Sequence, residues 1–165
     1  MAFADETKRN LTTIVRKVIA RRGSKPTIKV NVNWRIGIYV FVALLLDSRQ
    51  VFVYFSDKIN ALAVARFLRA FKEFVGKGRV FLCWDNHGSH ISRKARYRAR
   101  KLGIHLVQIP AWSPDLNPVE EIFRQLKDFL ANKVFFSLDE LKTEIMRFFR
   151  KINFKVGFNP VDYLS

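Results

Sequence analysis

The 165-residue sequence predicts an α/β fold, a mixed central β-sheet flanked by helices on both faces. Three observations carry this. Apolar, β-branched segments crowd the first third of the chain in the close succession that antiparallel neighbours need. Later apolar runs alternate with segments of helical period, the arrangement that joins parallel strands. The turn signals between them are brief: Arg22-Gly23-Ser24-Lys25-Pro26, Asp47-Ser48, Gly76-Lys77-Gly78 and Ser113-Pro114-Asp115.

Phe3 to Asp5 reads as the end of a short strand. Leu11, Ile14, Val15, Val18 and Ile19 recur at helical spacing and predict a helix over about 11–21. Thr27 to Trp34 alternates Ile28, Val30, Val32 and Trp34 with Lys29, Asn31 and Asn33, which predicts a half-buried strand. Ile36 to Leu46 is almost wholly apolar and predicts a central strand buried on both faces. Gln50 to Ser56 follows as a third strand of this group. Ile59, Leu62, Phe67, Leu68, Phe71 and Phe74 predict a helix stopping near Gly76. Val80 to Trp84 is a short strand ending at Asp85, Ser92 to Lys101 a strongly basic helix, and Ile104 to Ile109 another strand. After an irregular loop over Pro110 to Pro118, Val119, Ile122, Phe123, Leu126, Phe129 and Leu130 mark an amphipathic helix. Ser137 with Glu140 is a capping box that opens a last helix carrying Leu141, Ile145, Phe148 and Phe149.

The composition is 49% hydrophobic and 14% aromatic, which excludes intrinsic disorder and fits one domain over residues 1–165. The single cysteine, Cys83, excludes a disulfide scaffold and suits a reducing compartment. The longest apolar run, Ile38 to Leu46, falls short of the roughly 18 residues of a membrane span. No secretory signal opens the chain, so no membrane partner and a cytoplasmic location are expected. The formal net charge of +16 favours a polyanionic partner, nucleic acid first and an anionic membrane surface second; simple solubility is the plain alternative.

Asp5, Asp85 and Glu120 fall at strand ends or at the start of a helix after a strand, where an open α/β sheet gathers its ligands. Converging carboxylates make a hard-oxygen site suited to Mg²⁺ or Mn²⁺. Two such ions can activate a nucleophile and stabilise a leaving oxygen in phosphodiester displacement.

The run Trp84-Asp85-Asn86-His87-Gly88-Ser89-His90, followed by Ile109-Pro110-Ala111-Trp112-Ser113-Pro114-Asp115-Leu116-Asn117-Pro118-Val119-Glu120, closely resembles DDE transposases of the mariner-like and insertion-sequence type. That family shows Asp-Asn-x-x-x-His and then Pro-x-(Tyr/Trp)-Ser-Pro-Asp-Leu-Asn-Pro-(Ile/Val)-Glu, with 34 residues between its second and third acids. Here 34 residues also separate Asp85 from Glu120. Ala4-Asp5-Glu6-Thr7 resembles the family's first catalytic segment, and Arg22-Gly23-Ser24-Lys25-Pro26 the Arg-Gly-x-x-Pro downstream of it. The resemblance covers essentially the whole chain. It implies an RNase H-like fold and metal-dependent cutting and joining of transposon DNA ends. Asp5, Asp85 and Glu120 would be the catalytic, metal-binding triad, and two Mg²⁺ or Mn²⁺ ions the cofactor. It also implies transposon-end and target DNA as partners and a homodimer when active. The sequence begins four residues before Asp5, so the family's N-terminal helix-turn-helix region is expected to be absent, encoded separately, or removed by truncation or mis-assigned initiation; a separate helix-turn-helix protein or domain is one way the ends would be read. Nucleoid association follows from the same expectation.

Each residue also has a plainer reading. Asp85 alone would pass for a turn aspartate, and Asp5 for a solvated terminus with Glu6 as its competitor. Glu120 fits the third position of a helix capped by Asn117 with Pro118 as its first residue, and Glu121, about 100° further round the helix, is its competitor. Asn86, His90 and Asn117 are expected to support the site; His87 and His90 either bind phosphate or hydrogen-bond the loop. Asp115 and Asn117 fit turn-building and capping. His105 reads as a partly exposed strand residue and Cys83 as a small buried hydrophobe. Trp112 is either a stacking platform or a core anchor.

Arg93, Lys94, Arg96, Arg98, Arg100 and Lys101 put six positive charges within nine residues and are expected to bind DNA backbone, although such runs are usually solvated helix faces. Lys8, Arg9, Arg16, Lys17, Arg21 and Arg22 form a second candidate patch. Phe148, Phe149, Phe154 and Phe158 are either dimer contacts or core. The leading function is a transposase catalytic domain. A catalytically silent DNA-binding remnant and an RNase H-like nuclease are the alternatives.

Overall fold

The computed structural model describes residues 1–110 and 113–152. Five strands form one sheet in the order β3-β2-β1-β4-β5. Strand β1 (Ala2–Asn10) pairs antiparallel with β2 (Gly37–Leu45), and β2 pairs antiparallel with β3 (Val51–Ser56). On its other side β1 pairs parallel with β4 (Val80–Trp84), which pairs parallel with β5 (Ile104–Gln108). The change of direction follows the connections: β2 and β3 are joined by a short turn, and β4 and β5 by α2 (Arg93–Lys101).

Side-chain alternation splits the core in two. Phe3, Val40, Val42 and Cys83 pack on α3 (Pro118–Leu130) and α4 (Leu138–Lys151) through Val119, Ile122, Leu126, Leu141 and Ile145. Ala2, Ala4, Phe41, Ala43, Leu82 and Trp84 pack on α1 (Ala61–Val75) and α2 through Phe67, Leu68, Phe71, Ala95 and Ala99. Strand β2 is buried on both faces, which is why it reads as an unbroken apolar run. The helices begin where their caps dictate. The Asn60 side chain accepts from the amides of Leu62 and Ala63, and that of Ser137 from Glu140. Helix α1 ends at Gly76, whose φ of 80° suits glycine. Phe148 is buried against Phe129 and Phe149, so it belongs to the core; Phe154 and Phe158 lie outside the described residues.

The first third departs from expectation. The helix expected over about 11–21 does not form. Only the first of its apolar positions are covered: Leu11 is buried and Ile14 packs on the core, but Val15 is 60% and Ile19 105% exposed, so a helix here would lack a continuous buried face and with it most of its stabilisation. The chain instead runs extended, with the Leu11 amide donating to the Ile36 carbonyl, Thr13 to Asn31, and Asn132 back to Ile14. Nor is Thr27 to Trp34 a strand. Its pattern is inverted: Val30, Val32 and Trp34 are exposed, while Asn31 and Asn33 turn inward. The Asn31 amide donates to Thr13 Oγ1, and its side chain to the Phe135 carbonyl, so paired polar groups decide which side faces the protein. Strand β1 also runs on to Asn10, so Asp5 lies in mid-strand opposite Val42 and not at a strand end.

Candidate active site

Asp5 is nevertheless at an edge of a different kind. The parallel ladder between β1 and β4 ends at the pair Phe3–Cys83. Two residues beyond each partner stand Asp5 and Asp85, on the same faces of their strands as Phe3 and Cys83. Phe3 and Cys83 both pack in the cluster that contains Val119, the residue before Glu120. The three acids expected from the sequence thus come to one place: from mid-β1, from the end of β4 and from the first turn of α3.

Two asparagines tie that place together. The Asn117 side chain is buried; its Oδ1 accepts from the Val119 amide at 3.2 Å, and its Nδ2 donates to the Ala4 carbonyl at 3.1 Å. One residue therefore caps α3 beneath Glu120 and pins it to the backbone beside Asp5. Asn86 Nδ2 donates to the Ile109 carbonyl at 3.3 Å, and the Ile109 amide donates to the Trp84 carbonyl at 2.8 Å, closing the end of the β4–β5 ladder.

The electrostatics separate the acids from their competitors. The Asp5 carboxyl is pushed up to about 8, first by burial, then by the charges of Glu6, Glu120 and Asp85, with the Glu6 amide opposing the shift. Glu121 behaves oppositely. Arg124 and Gln125 hydrogen-bond it and hold its carboxyl down to about 2, so it serves a surface pair. Glu6 faces the other side of β1. Its Oε2 accepts from Trp84 Nε1 at 3.2 Å and lies 3.1 Å from His90 Nε2.

His90 is the residue whose importance the sequence understated. It is 2% exposed, stacks on Trp84 with ring centroids 3.9 Å apart, and meets Asp85 Oδ1 through Nδ1 at 2.6 Å. Burial disfavours its cation, but the Glu6 and Asp85 carboxylates outweigh burial and hold its pKa above the ordinary imidazole value. The His87 amide also donates to Asp85 Oδ1 at 3.1 Å. Asp85 is therefore oriented although it is half-exposed. Arg9 does more than join a basic patch. It is half-buried, reaches the Phe123 carbonyl with Nη2 at 3.5 Å, and feels burial first and the Glu120 carboxylate second.

A cavity of about 380 Å³ opens beside Asp85, with Trp84, His90, Gln108 and Arg96 among its lining. Helix α2 rises from this cavity. It buries only Ala95 and Ala99, leaving Arg93, Lys94, Arg96, Arg98, Arg100 and Lys101 exposed, with Ser92 accepting from the Ala95 amide as N-cap. His105 is exposed and stacks on Phe81, Cys83 is buried, and Asp115 sits in a 3₁₀ turn, Pro114–Leu116. Trp112 lies outside the described residues.

A mixed sheet with helices on both faces and acids gathered where β1 and β4 part defines an RNase H-like domain. The sequence matches the family model described as DDE superfamily endonuclease over residues 1–142, and the chain belongs to that family. No curated protein matches it. Among solved structures it is similar to the catalytic domain of Mos1 mariner transposase, with a TM-score of 0.66 at 20% identity over 92% of this chain and 70% of that one. It is also similar to the Mos1 transposase paired-end complex with left transposon end, with a TM-score of 0.72 at 22% identity over 92% of this chain and 48% of that one. A simian T-cell lymphotropic virus intasome, solved in complex with PP2A regulatory subunit B56 gamma, gives 0.63 at 11% identity over 96% and 49%. The chain thus spans about half the length of the Mos1 transposase chain in its paired-end complex. Other Mos1 structures were solved with Mn or with Mg. Among the described residues no helix is long and apolar enough to cross a membrane.

Proposed function

We propose that residues 1–165 form a single catalytic domain that cuts DNA at transposon ends and joins the ends to target DNA, using Asp5, Asp85 and Glu120. The observation that carries this reading is the convergence of the three acids from β1, the end of β4 and the first turn of α3, close enough that the charges of Glu120 and Asp85 add to burial and to Glu6 in pushing the Asp5 carboxyl up. Such a donor set fits Mg²⁺ or Mn²⁺, which take carboxylate oxygens. The three carboxylates would hold two ions, which when bound supply a polarised water and stabilise the leaving oxygen. The chain's own residues do the rest. His90 and the His87 amide hold Asp85 in place. Asn117 fixes the start of α3 and hence Glu120, and Asn86 closes the loop. Arg93, Lys94, Arg96, Arg98, Arg100 and Lys101 hold the DNA backbone beside Asp85. Water attacks the phosphodiester first, and the freed 3′-hydroxyl then attacks target DNA. The active form is a homodimer pairing two ends, a helix-turn-helix module recognises those ends, and the protein works in the cytoplasm on the nucleoid.

The test is nicking of supercoiled plasmid at low salt with Mn²⁺. Wild type is expected to nick, and Asp85→Asn to lose nicking while keeping salt-sensitive DNA binding. Nicking by Asp85→Asn would overturn the triad; binding without nicking by wild type would favour a silent DNA-binding remnant. Equal cutting of RNA–DNA hybrids would favour an RNase H-like nuclease.

A further inference from the structure

We infer that Glu6, His87 and His90 form a second cation site, built for a transition-metal ion such as Zn²⁺ and distinct from the hard-oxygen triad. One ligand atom from each of the three lies within 4.8 Å of the others. A four-coordinate zinc ion with bonds of about 2.0–2.1 Å holds its ligands roughly 3.4 Å apart, so a modest contraction completes the site. That contraction falls on His87, which is exposed and precedes Gly88, around which a side chain would meet nothing within 4 Å.

The turn places the two imidazoles. The His90 amide donates to the His87 carbonyl at 2.8 Å, which puts both rings on one side with centroids 5.2 Å apart. Each ring is held at Nδ1 by an oxygen: His90 by Asp85 at 2.6 Å, and His87 by Ser89 Oγ at 2.6 Å. For His90 this is the outer-shell arrangement that orients a metal-binding histidine and leaves Nε2 for the ion, while His87 Nδ1 also accepts from the Ser89 amide at 3.4 Å. The independent observation is His90 Nε2 itself. In a side chain only 2% exposed its one facing group is Glu6 Oε2 at 3.1 Å, so an ion would take the place of the proton between two ligand atoms already side by side. Glu6 is in turn held by Trp84 Nε1 at 3.2 Å. Two imidazole nitrogens and one carboxylate select zinc-like ions over magnesium, and water fills the fourth position on the exposed side of His87. The inference stands whether or not the domain cuts DNA.

The test uses the full chain with Co²⁺ or Zn²⁺ alone. Wild type is expected to bind Co²⁺ with the visible absorption of a four-coordinate site and to melt higher with Zn²⁺. His87→Asn, an exposed and therefore tolerated change, should weaken binding roughly tenfold or more. Glu120→Gln, which alters only the hard-oxygen triad, should leave the Co²⁺ absorption of the four-coordinate site unchanged. A wild type that gains neither absorption nor stability overturns the proposal, as does binding that survives His87→Asn. Loss in Glu120→Gln would move the ion to the triad and equally overturn it.

Discussion

Asp5→Asn is expected to stabilise the protein in the absence of divalent ions. The folded carboxyl titrates near 8 and the unfolded one near 3.8, so between those values the folded chain holds a proton that the unfolded chain releases. Folding stability therefore falls as pH rises through that window and levels off above it. At about 1.4 kcal/mol per unit, the loss is roughly 4 kcal/mol at pH 7 and under about 2 kcal/mol at pH 5. Asparagine keeps the shape of the side chain and removes the titration. Half of the larger figure is already a rise of roughly 4–8 °C in Tm for a chain of this size. The assay is thermal unfolding followed by circular dichroism with chelator present, at pH 5 and pH 7, for wild type and Asp5→Asn. The gap between the two proteins should widen from pH 5 to pH 7, and Mn²⁺ at pH 7 should narrow it by stabilising wild type alone. A gap that does not change with pH, or a variant that melts below wild type at pH 7, would refute the reasoning.

Glu120→Gln should abolish Mn²⁺-dependent plasmid nicking, whereas Glu121→Gln, at a side chain already occupied by Arg124 and Gln125, should leave the nicking rate within about twofold. Asn117→Ala removes both a helix cap and a buried tether, and urea unfolding should show a loss of about 1–3 kcal/mol together with slower nicking. Replacing Arg93, Lys94 and Arg96 with alanine should reduce the slope of log K against log salt by about 0.9 for each phosphate no longer neutralised, read by fluorescence anisotropy on duplex DNA. It should not change the melting temperature, because all three side chains are exposed.

The fold was legible where burial governs the pattern. Strand β4 and helices α1, α2, α3 and α4 lie where apolar spacing and the caps Asn60, Ser92, Asn117 and Ser137 put them. It was illegible where polar pairing governs. Asn31 looks like the solvent side of a strand, yet its partners Thr13 and Phe135 are supplied by other parts of the chain and leave no local trace. That Asp5, Asp85 and Glu120 would come to one place was legible because their motifs are local. The bridge from Asp85 through His90 to Glu6 was not, because Glu6 stands 78 residues or more from the Trp84 indole and the His90 ring that it meets. Period alone places Glu6 on the opposite face from Asp5, and that was the signal available for separating the two acids.

The place of β1 in the sheet has a consequence for how the chain acquires its structure. The antiparallel partner of β1 arrives with β2, whereas its parallel partner β4 and the helices that cover its Phe3 face come much later in the sequence. During synthesis a three-stranded meander can form while the outer side of β1 remains unpaired and both apolar faces stay open to solvent. Pairings this distant in sequence slow folding, and an open strand edge in the interval invites pairing with other chains. The lysines and arginines of this segment give the half-built sheet a strong like charge, which works against such association while the remaining elements are made.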